Sequence, residues 1–95
     1  MYPQDAEMIV EDALAWYGDK TSRGYIQRSN VEPRGAVWIV PLFGTPLRAA
    51  VSVKEVATQV QTALDEWGND LEPVLRGRAI GFVSRCTELI ALCED

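Results

Sequence analysis

Cys86 and Cys93 are the only thiols in the chain, and it contains no histidine. Lack of histidine removes the commonest general base, the usual zinc nitrogen ligand and every Ser-His or Cys-His nucleophile pair. On a helix, residues seven apart have Cα atoms about 10.5 Å from each other, and a disulfide needs less than about 7 Å. No C-x-x-C-like spacing supplies partners for a metal. Both cysteines fall on an apolar helical stripe, so they read as reduced core thiols, and neither a metal nor a cofactor is expected.

Two further stretches resemble chemical motifs and fail on their details. Gly18-Asp19-Lys20-Thr21 is similar to the end of a phosphate loop, but Asp19 separates Gly from Lys and the stretch follows a helix pattern instead of a strand. Acids gather in Asp65-Glu66-Trp67-Gly68-Asn69-Asp70-Leu71-Glu72. A calcium loop needs oxygen ligands at its first, third and fifth positions, and Trp67 occupies the third. A solvated connection between helices, capped by Asn69 or Asp70, accounts for the same residue types.

Charge is distributed more informatively than any motif. The net charge is −5, yet residues 20–54 form a basic island of Lys20, Arg23, Arg28, Arg34, Arg48 and Lys54 against the single acid Glu32. Asp5, Glu7, Glu11 and Asp12 precede it, and Glu55, Asp65, Glu66, Asp70 and Glu72 follow. Arginine forks interleaved with Tyr25 and Trp38 suit phosphate groups or an acidic protein. The simpler account pairs these arginines with the acidic faces of the flanking helices, because a negative overall field opposes nucleic-acid association.

The elements that position these residues follow from periodicity. In Pro3–Gly18, Ala6, Ile9, Val10, Ala13 and Leu14 recur at helical spacing, with Asp5 as a candidate N-cap and Gly18 suited to a left-handed C-terminal position. Loop formers fill 19–34 apart from a short strand at Tyr25-Ile26-Gln27. Gly35–Phe43 and Leu47–Ser52 read as a hairpin about a turn at 44–46, with Pro41 at an edge, a strand end or a bulge. Ser52 and Glu55 form a capping box for a helix whose stripe runs from Val53 to Trp67 and ends at Gly68. A third helix is expected over 71–93. Gly77 and Gly81 weaken it by up to about 1 kcal/mol each, so a strand at 78–83 followed by a shorter helix stays open. If helical, the two glycines share a face that would admit a close neighbour.

The order α-(β)-β-β-α-α predicts an α+β fold, one domain over 1–95, with a hairpin or three-stranded antiparallel sheet packed against three helices. The chain is 95 residues long and 47% hydrophobic, a globular composition. Its longest apolar run, Ala36–Phe43, falls far below the roughly 20 residues that span a bilayer. The first residues have neither the basic start nor the apolar core of a secretion signal, so a cytoplasmic protein is expected.

Both faces of the strand at 36–43 are apolar, where a half-exposed strand would alternate. Either helices sandwich the sheet, or a partner or second copy covers one side. With no catalytic motif, the chain reads as a small acidic non-enzymatic protein that binds another protein, as an inhibitor, an immunity-type protein or a chaperone-like adaptor does. Glu7, Glu11, Asp65 and Glu66 are the acidic candidates for meeting a basic partner surface. Trp38, Phe43 and Arg48 are the hairpin candidates for a partner or a homodimer. The second reading is a nucleic-acid or phosphate-ligand binder using Arg23, Tyr25, Arg28 and Arg34.

Overall fold

The computed structural model describes residues 3–18, 24–42 and 44–94. Its elements run α1 (Pro3–Tyr17), β1 (Tyr25–Ser29), β2 (Gly35–Pro41), β3 (Arg48–Ser52), α2 (Val53–Trp67), a 3-10 turn at Gly68–Asp70 and α3 (Pro73–Leu92). The strands form one antiparallel sheet in the order β1-β2-β3. The fold is therefore α+β with three helices and a three-stranded sheet, and the short strand at Tyr25 runs on to Ser29. Among the described residues, no helix is long and apolar enough to cross a membrane.

Register assigns the two faces of the sheet. Ile26 lies opposite Trp38, and Trp38 opposite Val51, so this row shares a face with Ala36, Val40 and Ala49. Ala36, Trp38 and Val40 join Val10, Val53, Val60 and Phe82 in one core cluster, with Ile26, Ala49 and Val51 packed at its border. All three helices thus bury their stripes against one face. Trp38 sits at the junction of the layers, 3% exposed. Its ring stacks on Tyr17 of α1 with centroids 4.4 Å apart and on Phe82 of α3 at 6.0 Å, the separations that aromatic pairs favour. The expectation that Trp38 contributes to a partner surface is overturned. Its side chain points to the helices and ties α1, β2 and α3 together.

Helix α3 is continuous, and the strand at 78–83 is not formed. Leu75, Ala79, Phe82 and Cys86 are its buried positions, one stripe at helical spacing that a strand would split between two faces. Gly77 and Gly81 lie on the solvent side, and no neighbouring atom would come within 4 Å of a Cβ at either. They admit no close neighbour, contrary to expectation. Cys86 is buried and Cys93 half-buried, and both are free thiols. Burial pushes the Cys86 thiol up to about 11, with Arg85 pulling it partly back.

Helix ends depart from expectation where backbone geometry offers a better donor or acceptor. Asp5 lies in the first turn of α1, one turn too late to cap it. Gly18 does not adopt a positive φ. Its amide donates to the Leu14 carbonyl at 3.0 Å, and a Cβ there would run into that same oxygen. Close approach is what requires glycine. Ser52 Oγ accepts from the Glu55 amide at 3.2 Å and caps α2 as predicted. Gly68–Asp70 are spent on the 3-10 turn, so the cap of α3 falls to Glu72, whose carboxylate accepts from the Val74 and Leu75 amides, each at 3.3 Å. Pro73 follows at the first helical position, where a missing N–H costs nothing. Neither Asn69 nor Asp70 serves.

At the hairpin end, the Leu42 amide donates to the Leu47 carbonyl at 3.0 Å, and the Thr45 amide to the Leu42 carbonyl at 3.1 Å. Gly44 has φ 77°, a conformation that costs a side chain energy and leaves glycine free. Pro41 is the last residue of β2, one of the positions expected for a residue that cannot donate to the ladder.

Candidate functional site

The face of the sheet turned away from the helices presents a row of residues in defined register. Tyr25, Ile39 and Ala50 lie opposite one another across the three strands, as do Pro41 and Arg48 along the hairpin. Val37, Ile39 and Pro41 belong to no part of the core cluster. Val37 is fully buried all the same, flanked in register by Gln27 and Ser52. Tyr25 is 51% exposed. The Arg48 guanidinium carbon sits over its ring, 5.7 Å from the centroid, a cation–π contact of about 0.5–1 kcal/mol at an exposed site. That contact reaches from β3 to β1 across the central strand β2. Beyond the strands, Leu42 and Leu47 are exposed at the hairpin end, held beside each other by the turn.

The predicted site residues divide accordingly. Arg48 stands on this outer face, together with Tyr25 from the nucleic-acid set. Arg28 is opposite Ala36 and so on the other face of β1. Arg34 lies before β2, 3.7 Å from Glu32 in an exposed ion pair. Arg23 and Phe43 are outside the described residues. The described members of the nucleic-acid set therefore share no face, and the one aromatic among them already holds an arginine.

The four acids are not gathered into one surface either. Glu7 and Glu66 are exposed on α1 and α2. Glu11 lines a groove between α1 and α3 together with Leu75 and Arg78. Asp65 lines another, between α2 and α3, with Arg76 and Ile80, and accepts a hydrogen bond from Gln61 Nε2 at 2.8 Å. Each of these grooves contains an acid and an arginine of the chain itself.

A third groove, between α1 and α2, differs. Asp12, Ala13, Trp16 and Tyr17 line one side and Glu55, Val56 and Gln59 the other, with Val51 of β3 completing it. Here two acidic residues share a groove that, among the described residues, no basic one lines. The capping box expects the Glu55 side chain to reach back to Ser52; only the Ser52 half of that exchange is formed, and Glu55 lines this groove. The pattern was available in the sequence only as two separate i, i+4 pairs, Asp12 with Trp16 and Glu55 with Gln59; their meeting depends on how α1 packs on α2.

No protein-family model matches the chain, and no curated protein and no solved structure matches it. Among the described residues, no group of His, Cys, Asp and Glu is placed to hold a metal ion.

Proposed function

We propose that this chain works by binding another protein, as an inhibitor, immunity-type protein or adaptor does, and not by catalysis. The contact surface is the outer face of the sheet with the hairpin end. The observation that carries this reading is the one-sided packing: three helices occupy one face of an all-apolar β2, and Ile39, Pro41 and Ala50 are left on the other. Tyr25 and Arg48 border them, two residue types enriched where proteins meet. The partner's matching surface is apolar, with a carboxylate to meet Arg48.

Size sets the strength of the contact. Strands of five to seven residues in a three-stranded sheet cover roughly 300 Å², less than half of the roughly 800 Å² per partner in a standard interface. Leu42 and Leu47 extend the patch, and the contact belongs to the weak or transient class unless the partner wraps past the hairpin.

Affinity capture from the source cells, with the intact chain and its Leu47→Asp and Tyr25→Ala/Arg48→Ala variants as baits, tests this. One protein retained by the intact chain and lost from both folded variants supports the proposal. Equal retention by the variants, or a light-scattering mass showing that a second copy already occupies the face, overturns it.

A further inference from the structure

We infer that the groove between α1 and α2 is a receptor for an arginine side chain presented by a protein partner. This inference is independent of the sheet face, because none of its residues belongs to that surface. Of three grooves between helices among the described residues, two are lined by an acid together with an arginine of the chain, Glu11 with Arg78 and Asp65 with Arg76. The third is lined by Asp12 and Glu55, with no cation among the described residues. A groove lined by two acids presents a negative field to an incoming cation. The groove measures about 350 Å³, within the range of small-ligand sites.

Three features select arginine. Trp16 stands at the groove, 48% exposed, and an exposed indole face attracts a planar guanidinium by stacking and by cation–π interaction. The two acids that line the groove offer acceptors to the five N–H donors of a guanidinium, against three on an ammonium. Ala13, Val51 and Val56 supply apolar wall along which an alkyl stem can lie. Arginine therefore uses carboxylates, indole and wall at once.

The probe is the blocked tripeptide acetyl-Gly-Arg-Gly-amide, titrated at low salt against the intact chain while the indole N–H resonance of Trp16, identified by Trp16→Phe, is followed by NMR. A saturable shift is expected, with a dissociation constant of about 1 mM. The lysine counterpart should bind about threefold more weakly, and the neutral isostere citrulline at least about tenfold more weakly. Asp12→Asn/Glu55→Gln changes no buried side chain and should weaken the arginine peptide at least about tenfold. Trp16→Leu, read on backbone amides of α1, should weaken it about fivefold. Equal binding of the citrulline or lysine peptide, unchanged affinity in the folded double variant, or the lack of any saturable shift to about 20 mM overturns the assignment.

Discussion

On the inner face of β2, Trp38 is closed in by Tyr17 and Phe82; one residue along, Ile39 faces outward and is half-buried. Both residues are large, apolar and suited to a strand. What separates them is which face received the helices, and that was decided by connections. β3 passes directly into α2 at Ser52–Val53, and α1 and α3 pack on α2, so all three stripes gather on one side. The outer face holds similar chemistry with no helix over it among the described residues, although Val37 there is fully buried. An apolar strand thus reports only that both faces need cover, and the difference between them is a difference between what folds the chain and what the chain can bind.

Substitution on the two faces should separate stability from binding. Trp38→Ala removes the stacked centre of the core and is expected to cost about 3–5 kcal/mol, a large part of the 5–15 kcal/mol typical of a domain. Ile39→Thr keeps a β-branched side chain and should cost about 1 kcal/mol or less, while reducing partner capture. Urea denaturation of both variants measures the contrast. If Ile39→Thr proves as costly as Trp38→Ala, the outer face belongs to the core and the comparison collapses.

Sequence periodicity carried most of the architecture because burial repeats at fixed spacing. The stripes of α1 and α2, the hairpin and its turn at 44–46 were all legible. For α3 the stripe from Leu75 to Cys86 outweighed two glycines, since their penalty falls on the solvent side. What was not legible depends on packing. Both faces of β2 are apolar, so alternation could not tell that Trp38 lies inward and Ile39 outward. Asp12 and Glu55 belong to distant segments, and only the packing of α1 on α2 sets them in one groove. The charge island at 20–54 was visible, but register sends Arg28 and Tyr25 to opposite faces.

The inner layer also makes a prediction in pH. Burial holds the Cys86 thiol neutral up to about 11, against an ordinary value of about 9. Between these values the unfolded state has already released the proton that the folded state keeps, so stability is complete below about pH 9 and falls as pH rises through 11, by at most about 3 kcal/mol. Tyr17, also raised by burial, adds to the decline. Thermal melts from pH 7 to 10.5 should show the loss, and Cys86→Ala should shrink it. At pH 8, iodoacetamide should label Cys93 in the folded protein and reach Cys86 only after denaturation. Equal labelling of the two would place Cys86 outside the core.

Caps compare the helices with each other. Ser52→Ala and Glu72→Ala each remove a side chain that accepts from a first-turn amide, and each should cost about 1 kcal/mol. Asn69→Ala and Asp70→Ala should cost clearly less, because neither caps α3. Chemical denaturation of the four variants distinguishes a cap at Glu72 from one inside the 3-10 turn.

The smallest effects test whether the outer side of α3 is bare. Gly77 and Gly81 are one turn apart, exposed, and helical, with open space where a Cβ would stand. Alanine at either position restricts the unfolded chain and removes glycine's helix penalty without meeting a neighbour, so Gly77→Ala and Gly81→Ala should each raise stability by about 0.5–1 kcal/mol. Capture of the partner should be unchanged, since these positions lie on the helical layer and the proposed contact lies on the sheet. Destabilisation by either alanine would mean that something packs closely against this face. Weaker capture from a more stable variant would instead move part of the contact from the sheet to α3.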